Sequence, residues 1–163
     1  MSTMRAAVWT ATDTAEIREI PRPEVPEGWA LVKMAYNGIC GTDLAIYHGK
    51  HPRAQHGLVP GHEMSGWIVE PGSSGLAEGT LVVVEPLISC GECRACRTGA
   101  AHVCNRLGLY GIDTPGGMAE YVALPPHTLH AVPDGVDARL AALVEPLAVA
   151  VHAVALSGME QEI

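Results

Sequence analysis

The sequence has no phenylalanine, and aromatic residues make up only 4% of its 163 positions. Its core must therefore be built from Val, Leu, Ile, Ala and Met. Basic residues are scarce as well: 10 Lys and Arg face 18 Asp and Glu, for a formal net charge of −8. That balance excludes the clustered basic surface on which nucleic-acid binding depends, and it removes any reason to expect adhesion to an anionic membrane. No uncharged run reaches the ~20 residues of a spanning helix; the longest apolar stretch is Leu147 to Leu156. The apolar run after Met1-Ser2-Thr3-Met4-Arg5 is too short for a signal-peptide core, so a soluble cytoplasmic protein is the expectation. Hydrophobic residues at 48% against charged ones at 17% argue against disorder.

What the chain does contain is turn chemistry, with 18 Gly and 12 Pro. Short strands suit that composition better than a helical bundle, and the length suits one domain. Arg5–Trp9 and Glu16–Ile20 read as a hairpin around Ala11-Thr12-Asp13. Further strands are expected at Ala30–Tyr36, Met64–Val69, Leu81–Val84, Met118–Leu124 and Leu129–Val132. Asp137 is placed to N-cap a helix through Leu143, and Pro146 to start a second one. Leu147–Leu156 is so apolar that it should be buried.

Five cysteines are an odd number, which argues against a disulfide framework and for metal or nucleophile chemistry. Cys90, Cys93, Cys96 and Cys104 have the spacing C-x2-C-x2-C-x7-C. Four thiolates on short loops suit tetrahedral Zn²⁺. The bacterial iron–sulfur run ends C-x3-C-P, whereas Cys104 follows seven intervening residues and precedes Asn105. With every position taken by protein, such a metal is structural.

The remaining chemistry is more dispersed. Cys40 stands in Gly38-Ile39-Cys40-Gly41-Thr42-Asp43, His62 and Glu63 follow Pro60-Gly61, and Glu145 precedes Pro146, which biases it away from helical geometry. Cys, His and Glu are all zinc ligands, and a mixed set with water in the remaining position is the catalytic type. Asp43 is a candidate acceptor for the His62 ring. On spacing alone, Cys40 is as readily a small buried hydrophobe, His62 a turn residue and Glu145 a helix-terminus residue.

The motifs Gly38–Asp43, Gly61-His62-Glu63, the four-cysteine lobe, Gly116-Gly117-Met118-Ala119-Glu120-Tyr121 and Val144-Glu145-Pro146-Leu147 occur in an order that resembles the zinc-dependent medium-chain alcohol dehydrogenases. The match is to their N-terminal, GroES-like catalytic domain, nearest the sorbitol, butanediol and threonine dehydrogenase branch. The resemblance implies a mostly β fold with short helices (α+β): a GroES-like, partly open β-barrel over residues 1–145, with a zinc lobe at 88–106. A C-terminal helix over 146–163 would lead towards a Rossmann domain that the sequence lacks, since it holds no Gly-x-Gly-x-x-Gly strand–helix turn.

Carried over residue by residue, the resemblance implies that Cys40 and His62 ligate a catalytic zinc. Glu63 and Glu145 compete for a further position, and Thr42 relays the alcohol proton. Cys90, Cys93, Cys96 and Cys104 would hold a structural zinc, for two Zn²⁺ per chain. Ala45 stands where relatives often carry a relay histidine, leaving His48 and His51 as substitutes; Glu85 and His102 read as surface groups. The implied activity is oxidation of a secondary alcohol or diol to a ketone with NAD(P), by a homo-oligomeric full-length enzyme. The isolated chain, without the dinucleotide domain, is expected to be inactive. The alternative is a non-catalytic, zinc-stabilised binding or assembly module.

Overall fold

The computed structural model describes residues 2–158. Strand β1 (Thr3–Ala11) turns at Asp13, which takes φ 58°, into β2 (Thr14–Pro21). Asp tolerates that left-handed conformation better than most residues. The two strands form an antiparallel ribbon, as the sequence reading expects.

The main body is a five-stranded antiparallel sheet. In spatial order it contains β8 (Tyr121–Leu124), β3 (Ala30–Asn37), β4 (Met64–Glu70), β5 (Leu81–Val84) and β9 (Leu129–Ala131). Burial alternates along β5 and β8, as it must when one sheet face packs inward. Val32, Met64, Ile68, Val82, Val122 and Leu124 fill the centre. The aliphatic core that the absence of Phe demands is the one observed.

The described residues form three sheets, none of which closes on itself, so the barrel is open. The expected strand Met118–Leu124 is divided because it changes partners. Met118–Glu120 lies along β1, with Ala7 N–H donating to Met118 O at 2.8 Å and Glu120 N–H to Arg5 O at 3.0 Å. The chain passes to β3 at Glu120, whose O accepts the Met34 N–H at 2.9 Å, and pairs with that strand from Tyr121 onward. A short ribbon of β6 (Leu87–Ile88) and β7 (Gly108–Leu109) closes the base of the cysteine lobe.

Four helices complete the described residues: α1 (Gly41–Tyr47), α2 (Arg94–Arg97), α3 (Ala138–Ala141) and α4 (Val144–Leu156). Asp137 caps α3 as expected, its side chain accepting the Arg139 N–H at 2.8 Å. Ser65 Oγ donates to Ala138 O at 2.7 Å and fixes α3 on the sheet.

Two expectations about α4 are corrected. The helix starts at Val144, so Glu145 is helical despite the proline after it. Pro146 falls within the first turn, where its missing N–H would have had no intrahelical partner anyway. Leu147–Leu156 is exposed rather than buried; Leu147, Val149, Val151 and Leu156 are each more than half exposed. No described element covers them. Residues 159–163 of the expected 146–163 segment lie outside the described residues. No described helix is long and apolar enough to cross a membrane.

Candidate metal centres

The β3–β4 ladder explains how Cys40 meets His62 and Glu63. Its last pair is Asn37 opposite Met64, and beyond it Gly38 N–H donates to Glu63 O at 2.9 Å. The residues just after β3 therefore run beside those just before β4. One ligand atom from each of Cys40, His62 and Glu63 lies within 4.8 Å of the others. His62 and Glu63 are buried and Cys40 is half-buried.

Two glycines make this approach possible. A Cβ on Gly38 would fall on the Glu63 carboxylate. Gly61, immediately before His62, takes φ +100°, and a Cβ there would sit 2.5 Å from Asn37 Nδ2. The Gly116-Gly117-Met118 segment braces the other side: Gly117 N–H donates to Gly61 O at 2.9 Å and Met118 N–H to Pro60 O at 3.1 Å.

Asp43 departs from expectation. Its carboxylate does not take the His62 ring. Oδ2 accepts the Cys40 N–H at 2.9 Å and Oδ1 accepts the Gly61 N–H at 3.1 Å. Asp43 is the third residue of α1 and Cys40 its N-cap, so the side chain reaches back to the cap amide. His62 Nδ1 is buried with no hydrogen-bond partner among the described residues. Such an atom is costly unless something binds it. Beside a thiol and a carboxylate, it has the donor chemistry of a zinc site.

Thr42 is half-buried, and the Cys40 thiol donates to its Oγ1 at 3.7 Å. His48 is engaged by Asp13 at the surface, and His51 Nδ1 accepts the Arg53 N–H at 3.4 Å. Neither imidazole hydrogen-bonds Thr42 among the described residues. Glu145, in the first turn of α4, is outside the close Cys40–His62–Glu63 group. It is near enough to be felt: burial raises its carboxyl pKa, the His62 charge opposes that rise and the Glu63 charge adds to it. A cation here would reverse the balance.

The four-cysteine lobe is better defined. Sulfur separations are 3.5 Å for Cys93–Cys96, 3.9 Å for Cys90–Cys96 and 3.9 Å for Cys93–Cys104. Four sulfurs at the Zn–S bond length of a tetrahedral site stand about 3.8 Å apart, so the pocket is already the right size. Backbone amides point at the sulfurs: Cys93 N–H at Cys90 Sγ (3.4 Å), and both Cys90 and Arg106 N–H at Cys104 Sγ (3.3 Å each). The Cys93 and Glu92 amides lower the Cys90 pKa to about 6, whereas burial and the neighbouring thiols raise that of Cys96 to about 11. Glu85 and His102 are exposed; Glu85 pairs with His130 at 3.6 Å, and His102 meets the His152 ring edge-on.

Residues 26–134 match the model of the alcohol dehydrogenase GroES-like domain. The chain belongs to the zinc-dependent medium-chain alcohol dehydrogenase family. It is 43% identical over 136 residues to a 2-dehydro-3-deoxy-L-galactonate 5-dehydrogenase of Pseudoalteromonas atlantica, covering 82% of this chain and 40% of that protein. Identity to the L-threonine 3-dehydrogenase of Pyrococcus horikoshii is 39% over 145 residues, 86% of this chain and 42% of the relative. A candidate zinc-binding dehydrogenase from Sinorhizobium meliloti 1021, bound to NADP, superposes with a TM-score of 0.90 at 36% identity; the match covers 98% of this chain and 47% of that one. The chain thus spans less than half the length of these alcohol dehydrogenase relatives. It corresponds to their catalytic GroES-like part, and the Cys40, His62 and four-cysteine motifs fall within the matched region.

Sequence reasoning missed the double role of Asp43 and the packing roles of Gly38 and Asn37. The only signal was glycine at both Gly38 and Gly61, the positions flanking the donors.

Proposed function

We propose that the chain is the metal-binding catalytic domain of an NAD(P)-dependent dehydrogenase that oxidises a secondary alcohol, diol or polyol to a ketone. The convergence of Cys40, His62 and Glu63 at the end of the β3–β4 ladder carries this reading. Cys40 and His62 would hold a zinc ion, with Glu63 or Glu145 as the exchangeable carboxylate. Cys90, Cys93, Cys96 and Cys104 would hold a second, structural ion. When bound, the catalytic zinc supplies a Lewis acid that favours the ionised form of an alcohol.

The chain's own residues do the remaining work. Half-buried Thr42, adjoining Cys40, is positioned to take a hydroxyl proton and pass it outward. The buried His62–Glu63 wall limits water on the opposite side. Ala45 offers no imidazole to continue the relay, so the proton leaves through Thr42 and solvent. The dinucleotide would be bound by the part of the relatives that this chain does not span, which leaves the chain inactive alone. Relatives acting on a sugar acid and on threonine favour a substrate bearing more than one polar group.

The exposed apolar face of α4 favours a second reading, a zinc-stabilised docking module without catalysis. Metal content separates the two. The dehydrogenase reading expects two zinc equivalents in the chain and one in Cys40→Ala. A single equivalent in the wild-type chain, unchanged in Cys40→Ala, rejects it.

A further inference from the structure

We propose that β2 is an interface strand, which pairs antiparallel with β2 of a second copy of this chain across a two-fold axis at Ile17. The proposal is independent of the metal-site reading, since no donor of either cluster belongs to β1 or β2.

Strand β1 has a neighbour on each side, β2 on one and Met118–Glu120 on the other, whereas no described strand pairs with the outer edge of β2. Arg22 N–H donates to Ser2 O at 3.0 Å, in register with the ribbon. Hydrogen-bonded pairs alternate along an antiparallel ladder, so Met4–Ile20, Ala6–Arg18 and Val8–Glu16 are the bonded ones. In agreement, Arg5 and Ala7 bond the other way, to Glu120 and Met118. The N–H and C=O groups of Ala15, Ile17 and Glu19 therefore point away from β1. A row of such groups is a template for another strand. Every residue of β2 except Ile20 is exposed, and Ile17 is 72% exposed.

Charge selects both the partner and the register. With the axis at Ile17, Glu16 faces Arg18 of the second copy, Arg18 faces its Glu16, and the two Ile17 side chains meet. Ala15 and Glu19 complete the block of main-chain hydrogen bonds, and Pro21, which has no N–H, lies beyond it. Centring the pair on Glu16, Arg18 or Glu19 would set like charges directly opposite one another, which destabilises the pairing. Within one chain Arg18 Nη2 already reaches Glu16 Oε2 at 2.8 Å, so both charges stand on one face of β2. Charged side chains commonly guard a strand edge; in this order they make the edge complementary to itself.

Sedimentation velocity on the full chain is expected to show a reversible dimer with a Kd of about 100 μM or tighter, weak because the contact is small. Glu16→Arg and Arg18→Glu each turn both cross-strand attractions into repulsions, and each should weaken the dimer about tenfold or more. The double variant Glu16→Arg/Arg18→Glu regains the attraction and should dimerise as the wild type does. An equimolar mixture of the two single variants should associate more tightly than either alone. A wild-type chain still monomeric at about 1 mM overturns the proposal. So does a dimer that the single reversals leave within about twofold of the wild-type Kd, where a tenfold effect is expected; its contact would lie elsewhere, as on the exposed face of α4.

Amide hydrogen exchange on the wild-type chain gives a reading that needs no variant. The amides of Ala15, Ile17 and Glu19 should gain protection as concentration rises, while those of Glu16, Arg18 and Ile20 stay protected throughout. Ile17 exchange that is indifferent to concentration, in a sample that dimerises, overturns the proposal.

Discussion

Cys90 and Cys96 share one lobe, and their sulfurs are 3.9 Å apart, yet they ionise at opposite ends of the thiol range. Cys90 receives backbone N–H groups that favour its thiolate, so its pKa falls to about 6. Cys96 is penalised by burial and by hydrogen bonding with the neighbouring thiols, and rises to about 11. At pH 7.5 the metal-free chain is therefore expected to carry a thiolate at Cys90 and a neutral thiol at Cys96. Because the thiolate is the nucleophile, a limiting amount of iodoacetamide should alkylate Cys90 well before Cys96, as read by peptide mass mapping. Lowering the pH below 6 should slow alkylation of Cys90, because its thiolate then protonates, while leaving it ahead of Cys96. Cys96 labelled first would show that the amides do not hold the Cys90 sulfur. Residue identity alone exposed the cluster, because four thiols at C-x2-C-x2-C-x7-C have few other uses. It did not expose this asymmetry, which depends on where individual N–H groups point. The same holds for Asp43: its sequence position beside Cys40 marked it as a supporting group, but only the fold shows that its partners are backbone amides and not the imidazole.

Among the elements, those whose pattern is local were legible. Leu81–Val84 is a strand to the residue, and the hairpin of β1 and β2 turns where Asp13 allows it. Elements set by their partners were not. Met118–Glu120 reads as continuous with Tyr121–Leu124 but hydrogen-bonds β1, and only its last residue, Glu120, also reaches β3 through the Met34 N–H. The seven residues of α1 carry no strong periodic signal, and their place depends on Ile46 packing on Trp9 and on the Asp43 carboxylate accepting the Cys40 and Gly61 N–H groups. Helix α3 is a short element whose capping was correctly anticipated. It has only four residues, too few to be stable alone, and it buries Ala138 and Ala141 over the sheet. Its integrity thus leans on the Asp137 cap and on the Ser65–Ala138 bond. Asp137→Ala should cost about 1 kcal/mol of unfolding free energy, measured from the urea midpoint at unchanged slope, and Asp137→Asn should restore most of it. An unchanged midpoint in Asp137→Ala would mean that packing alone holds α3.

At the scale of the whole molecule, stability is divided between two kinds of construction. The five-stranded sheet has a continuous aliphatic core, with Ala30, Val32, Val82 and Leu124 wholly buried. The lobe over 88–106 has almost none: Cys104 is the one buried residue in that span. A segment of this length without apolar burial cannot offset the backbone entropy of ordering it, so its order must come from the bond network at the four sulfurs. Removing metal should then unfold the lobe and spare the sheet, because ligand binding and folding are the same free energy in such a unit. With a strong chelator, trypsin is expected to cut first at Arg94, Arg97 or Arg106, all exposed, while far-ultraviolet circular dichroism of the sheet changes little. Re-addition of zinc should restore resistance before cleavage proceeds. Cooperative loss of both signals would instead mean that β6 and β7 couple the lobe to the core strongly enough for the metal to stabilise the entire domain.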